Sequence, residues 1–170
     1  MIDFTTTDYL KTGNARQKRA YEVLTGCRIF EKLKNYSPVL AGTVPIEIDV
    51  EGSDLDIICE MKDKIDFERF LIDAFAEFNI KVESFEINGE EAIVGVFMLE
   101  EFPVEIFGQI KPAIKQNAYL HMIAEYRILQ EKGEDFKNEI IALKKQGIKT
   151  EPAFGRLLGL ENPYEDLLKF

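Results

Sequence analysis

The segment Ser53-Asp54-Leu55-Asp56-Ile57 constrains the chain most, because it sets two carboxylates two residues apart at the head of an apolar run. Side chains alternate along a strand, so Asp54 and Asp56 leave the same face with Cα atoms about 6.6 Å apart, while Leu55, Ile57 and Cys59 share the other. Two carboxylates held side by side repel, and they suit divalent cations such as the Mg²⁺ pair, roughly 3.5–4 Å apart, that serves phosphoryl and nucleotidyl transfer.

A third carboxylate follows at Pro103-Val104-Glu105-Ile106-Phe107, where Glu105 interrupts an otherwise apolar strand. An unpaired charge there is costly, so Glu105 needs a partner or a metal. Upstream, Gly42 lets backbone N–H groups approach a phosphate closely, and the Thr43 hydroxyl can donate to another phosphate oxygen. Ser53, beside the first aspartate, and Lys115, soon after the Glu105 strand, join them as candidate nucleotide contacts, with Lys111 and Gln116 as neighbours of Lys115.

The periodicity predicts two helices over 14–36, ended by Ser37-Pro38, because the residue before proline is pushed out of the right-handed helical region. Strict alternation predicts a strand over Ile46–Val50, and a second strand runs from Asp54 to Cys59. The stripe Phe67, Phe70, Leu71, Ala74 and Phe78 predicts a helix over 66–78 capped by Asp66. Strands are expected over 81–87, 92–99 and 102–107, the first two joined at Asn88-Gly89, a strong hairpin signal. Apolar on both faces, the 92–99 strand should be interior. Helices follow Pro112, the last opened by Thr150 as cap with Pro152 in its first turn. This order predicts an α/β (α+β) fold with a mixed sheet of about five strands flanked by helices. Residues 1–110 form the core with its N-terminal helices, and 111–170 a C-terminal helical segment packed on it.

With 46% hydrophobic residues, a chain of 170 residues can bury a real core. Its 31 acidic against 21 basic residues give a net charge of −10, which disfavours long nucleic acid and anionic membranes as partners. Two cysteines without CxxC spacing and one histidine argue against a disulfide framework or a zinc site. Neither a secretory signal nor a membrane-length apolar run is evident, so a cytoplasmic location is expected. Lys11, Arg16, Lys18 and Arg19 form a basic cluster that reads as a solvated helix face before a triphosphate contact. His121 reads first as a histidine satisfied by Glu125 one turn on, and Cys59 and the Tyr119, Met122, Tyr126 stripe as core.

At these residues the chain resembles the DNA polymerase β-type nucleotidyltransferase superfamily, whose pattern is a Gly-Ser or similar pair, an acid-x-acid strand and a third acid on a later strand. Gly42-Thr43, Asp54 with Asp56, and Glu105 occupy these places, with threonine for the usual serine and glutamate for the commoner aspartate. The stretches GTVPIEI, SDLDIIC, PVEIFGQ, AYLHMIAE and KTEPAFGRLLGLENPY are similar to a bacterial domain-of-unknown-function family grouped with nucleotidyltransferases, over almost the whole length. The resemblance implies Mg²⁺ (or Mn²⁺) at Asp54, Asp56 and Glu105, a nucleoside triphosphate as substrate, and transfer of its nucleotidyl group to a hydroxyl of a small molecule or protein. The alternatives are a non-catalytic nucleotide- or metal-binding or partner-binding module of the same fold, and a structural protein whose acids are solvated.

Overall fold

The computed structural model describes residues 2–87 and 89–170. Five strands form one mixed sheet: β1 (Val39–Ala41), β2 (Leu55–Glu60), β3 (Lys81–Ile87), β4 (Glu90–Leu99) and β5 (Phe102–Gln109), in spatial order β1-β2-β5-β4-β3. The β2 and β5 strands pair in parallel and every other pair is antiparallel. Helices α1 (Ala15–Gly26), α2 (Ile29–Lys32) and α3 (Lys64–Ala74) precede or interrupt the strands, and α4 (Asn117–Lys132), α5 (Glu134–Lys145), α6 (Thr150–Leu158) and α7 (Pro163–Asp166) follow them. The α/β architecture expected from the sequence is the one observed.

Local chemistry explains the element boundaries. Asn14 caps α1 reciprocally, accepting from the Gln17 amide at 2.9 Å while the Gln17 side chain accepts from the Asn14 amide at 3.0 Å. The left-handed conformation of Arg28 separates α1 from α2. Alternation on β2 sorts its residues between two cores. Leu55, Ile57 and Cys59 pack with Phe67, Leu71 and Phe75 of the α3 region, whereas Ile58 packs with Met122 and Ile128 of α4 and with Phe154 of α6.

Three expectations need correction. The segment Ile46–Val50 is not a strand, and β1 lies earlier, at Val39–Ala41. Residues 44–47 turn instead, with Glu47 at φ 60° and the Ile48 amide donating to the Thr43 carbonyl at 3.1 Å. Ile46 and Ile48 are buried as anticipated, but in an irregular loop tied down by the Gln17 side-chain amide, which donates to the carbonyls of Val44 and Pro45. The cap of α3 is Asp63, whose carboxylate accepts from the Asp66 amide at 2.9 Å, so the helix starts two residues earlier than its apolar stripe suggested. Thr150 is the first residue of α6, with Lys149 in the capping position and no side-chain cap. The β4 strand is interior as expected, although Val96 and Met98 are exposed on one face. Of the expected hairpin turn, Asn88 lies outside the described residues and Gly89 has φ 80°.

Candidate active site

The parallel register of β2 and β5 sets Asp56 directly beside Glu105, while β1 sets Ala41 against Asp56 from the other side. Neighbouring strands run about 4.8 Å apart, so the two carboxylates leave adjacent positions of one sheet face. Asp54 precedes the first residue of β2. All three line a cleft of about 740 Å³, together with Gly42, Thr43 and Ser53. Among the described residues, no three His, Cys, Asp or Glu side chains are gathered tightly enough, as they stand, to hold a metal ion.

Electrostatics make this corner costly. Burial, followed by the charges of Asp54 and Glu105, pushes the Asp56 carboxyl up to about 7. Glu105 is raised for the same reasons, burial first and Asp54 second. Gly42 has φ 79°, and a Cβ there would fall 2.1 Å from Asp56 Oδ2. Glycine is thus required twice over, by the backbone conformation and by the carboxylate lying against it.

The loops that present these groups are braced by α1. Arg16 donates to the Ser53 carbonyl at 3.0 Å, pairs with Asp49 at 3.0 Å and lies over the Phe102 ring. The Ser53 hydroxyl accepts from the Val50 amide at 2.9 Å, closing the turn before Asp54. The rest of the basic cluster turns outward: Lys11 pairs with Asp8, and Arg19 with Glu22, Glu100 and Glu101. Neither Arg16, Arg19 nor Lys11 lines the cleft.

The opposite wall comes from the C-terminal helices and contains residues the sequence reading did not select. Glu125 of α4 is only 4% exposed, and burial, with Glu151 nearby, raises its carboxyl well above the usual carboxylate range. Lys144 of α5 is half-buried, and desolvation lowers its ammonium despite the attraction of Glu125, Asp49, Glu151 and Asp54. Lys149 and Glu151 complete this wall. Position 125 continues the buried stripe of Met122, Ile128 and Leu129, so a charge at a core spacing was the available signal. His121 also lines the cleft, but its neighbour is Glu151, Nδ1 to Oε1 3.7 Å, rather than Glu125, and its Nε2 meets the Tyr164 carbonyl at 2.8 Å.

Lys115 is exposed, at the end of a short 3-10 turn over Ala113–Lys115, and does not line the cleft. Lys111 does line the cleft, paired with Glu90 at 2.9 Å. The Gln116 amide nitrogen is engaged by the carbonyls of Cys59 and Lys111, a structural role. Cys59 is fully buried, and its thiol is pushed up by burial. No helix among the described residues is long and apolar enough to cross a membrane.

Comparisons with known proteins give a family and a fold. The family described as "Domain of unknown function (DUF4269)" matches residues 22–170. No curated protein matches the sequence. Among solved structures, the Cid1 poly(U) polymerase superposes with a TM-score of 0.56 at 12% identity, over 81% of this chain and 45% of that one. A cytoplasmic RNA terminal U-transferase gives 0.53 at 12%, over 81% and 43%. The polymerase core of TRAMP, an RNA surveillance complex, gives 0.54 at 11%, over 95% and 54%. This chain therefore carries a nucleotidyltransferase fold while spanning about half the length of these structures.

Proposed function

We propose, given that the chain belongs to the DUF4269 family and carries a nucleotidyltransferase fold, that it transfers a nucleotidyl group from a nucleoside triphosphate to a hydroxyl of a small molecule or protein. The observation that carries this reading is the pairing of Asp56 with Glu105 in register, beside Gly42 and with Asp54 in the same cleft. An all-oxygen donor set on a rigid sheet suits Mg²⁺ or Mn²⁺, and burying Asp56 beside two like charges makes sense where a cation neutralises them.

Asp54, Asp56 and Glu105 would hold the metal, which when bound lowers the pKa of the acceptor hydroxyl and neutralises the departing pyrophosphate. Glu105 would take the hydroxyl proton as the acceptor oxygen forms its bond to the α-phosphorus and the bond to the pyrophosphate oxygen breaks. Backbone N–H groups at Gly42 and the Thr43 and Ser53 hydroxyls would hold the β and γ phosphates, with Lys144 facing them in the role expected of Lys115. In this reading residues 1–110 supply the metal and phosphate sites, residues 111–170 close the cleft, and the protein acts in the cytoplasm. Most of the acceleration is positioning and charge stabilisation. The net charge of −10 favours a compact acceptor over long nucleic acid.

Calorimetric titration with each Mg²⁺–nucleoside triphosphate, alongside pyrophosphate release over an acceptor panel, tests the proposal. Saturable binding with acceptor-dependent release is expected. Binding without release would identify a non-catalytic module, and no binding at all would reduce the fold to a structural one.

A further inference from the structure

The acids of the cleft have a second hollow on their other flank. Cross-strand pairing sets Asp56, Glu105, Val96 and Lys81 in one row across β2, β5, β4 and β3, with Ala41 of β1 beyond Asp56 at the opposite end. Partners in a ladder share a face and neighbouring strands lie about 4.8 Å apart, so Val96 flanks Glu105 and the Lys81 backbone stands about 10 Å from it. Gly42 and Thr43, which follow β1, are therefore on one side of the acids, and the β4 and β3 residues are on the other. That second side holds a hollow of about 380 Å³, which shares Asp54 and Glu105 with the main cleft and none of its other lining residues. Its wall includes Phe78, Val96, Met98 and Pro103, with Val96 40% and Met98 57% exposed.

Displacement at phosphorus fixes the side that each reactant takes. The attacking oxygen and the departing pyrophosphate oxygen lie roughly in line across the α-phosphorus. With the β and γ phosphates held at Gly42, Thr43 and Ser53, the acceptor oxygen must arrive from the β4 side, where the hollow meets Glu105. The acceptor oxygen bonds to the α-phosphorus, the bond to the pyrophosphate oxygen breaks, the hydroxyl proton passes to Glu105, and pyrophosphate leaves beside Gly42. Apart from the two acids, the hollow presents carbon, the Asn79 amide and the Lys81 ammonium. Apolar side chains exposed singly are ordinary, but Val96 and Met98 are neighbours on one strand face, opposite Glu105 and Pro103. Covering that pair is favourable for a ligand that brings apolar surface of its own.

We propose that this hollow is the acceptor subsite and that it takes an apolar alcohol, a carbon ring or chain whose hydroxyl reaches Glu105. Its volume of about 380 Å³ is that of a small-molecule site. The assignment rests on the transferase reading for the word acceptor, whereas binding in the hollow is measurable without turnover.

The test compares alcohols that share a carbon skeleton and differ in apolar surface, cyclohexanol with myo-inositol and hexan-1-ol with glucitol. Met98 lines the hollow and Met122 the main cleft, so ¹³C-labelled methionine methyl groups report the two separately by NMR. With Mg²⁺ present, cyclohexanol and hexan-1-ol should shift the Met98 signal saturably and leave Met122 in place, and the polyols should bind roughly tenfold more weakly or worse. Val96→Thr keeps the shape and strand preference of valine but sets a hydroxyl against the ligand. Checked for folding by its thermal transition, it should weaken cyclohexanol binding about threefold or more. No saturable shift, equal binding of the polyols, a cyclohexanol shift at Met122 instead of Met98, or undiminished affinity in Val96→Thr would overturn the proposal. A concentration-dependent dimer that Val96→Thr dissociates would also overturn it, by giving the hollow to a second copy of the chain. Binding at Met98 without pyrophosphate release from any common nucleoside triphosphate would leave the subsite standing and sink the transfer reaction. Release driven by the polyols alone would keep the reaction and sink the subsite.

Discussion

The two faces of β2 and β5 are made from alternate residues of the same strands and obey opposite rules. One face, with Leu55, Ile57, Val104 and Ile106, is dry and apolar against Phe67, Leu71 and Phe75. The other gives up part of its packing to Asp56 and Glu105, and its cover of C-terminal helices stops short to leave the cleft. The first face stores the stability that the second spends, and a substitution should reveal the face on which it falls.

The largest effect is expected on the dry face. Phe67 is fully buried, its ring touching Tyr36 edge-on and covering Gly108 so closely that a Cβ there would lie 2.3 Å from the ring. Phe67→Ala should cost about 3–5 kcal/mol in denaturant unfolding. A loss below about 1 kcal/mol would mean that this core is plastic and that the contrast between the faces is false.

On the wet face the cost should appear in chemistry. Asp54→Asn should reduce pyrophosphate release by on the order of 10²–10³, about 3–4 kcal/mol of transition-state stabilisation, without lowering the thermal midpoint of the metal-free protein. A parallel fall in midpoint would show Asp54 to be a structural residue.

Asp56 connects the two accounts through pH. Its carboxyl is raised from 3.8 to about 7 in the folded chain, so between those values the folded state holds a proton that the unfolded state has released. Metal-free stability attributable to this group is therefore full at about pH 4 and is lost as pH rises through about 7. Asp56→Asn should remove that decline, leaving the variant more stable than the parent at about pH 8 by on the order of 2–3 kcal/mol and little different at about pH 4. Added Mg²⁺ should shift the parent the other way, protecting it increasingly as Asp56 deprotonates. Unfolding curves at the two pH values, with and without Mg²⁺, decide it, and parallel pH profiles for parent and variant would contradict the placement of Asp56.

What could be read from the sequence divides along the same line. β2, β3 and β5 carry their own alternation and punctuation, and the acid-x-acid pattern fixes which residues share a face. The segment Ile46–Val50 shows the limit, since its alternation describes burial correctly, but the conformation depends on Gln17, some thirty residues upstream, reaching the Val44 and Pro45 carbonyls. Lys144, Glu125 and Glu151 could not be assigned to a cleft by any local rule, because three helices must pack before they face β2. Lys115 is nearer in sequence to the Glu105 strand than Lys144, yet it does not line the cleft and Lys144 does.

A smaller effect should come from the hinge between the faces. Gly42→Ala adds a Cβ at φ 79° and against Asp56 Oδ2, so it should cost about 1–2 kcal/mol and weaken Mg²⁺ binding together. If only stability falls, the glycine serves the turn rather than the carboxylate.

The smallest effect belongs to Lys115, and it is sharpest when set beside Lys144. Lys115→Ala removes an exposed side chain outside the cleft and should change stability by no more than about 0.5 kcal/mol and triphosphate affinity by less than about twofold. Lys144→Ala removes a half-buried ammonium that feels Asp54, Asp49, Glu125 and Glu151 together, and leaves those carboxylates with less compensation. Its triphosphate affinity should fall by roughly tenfold or more, as expected when one partner of a desolvated charge pair is removed. Titration of both variants with one nucleotide is enough: equal losses would return the phosphate contact to Lys115, and a loss confined to Lys144→Ala would make the wall built by α4, α5 and α6 part of the nucleotide site.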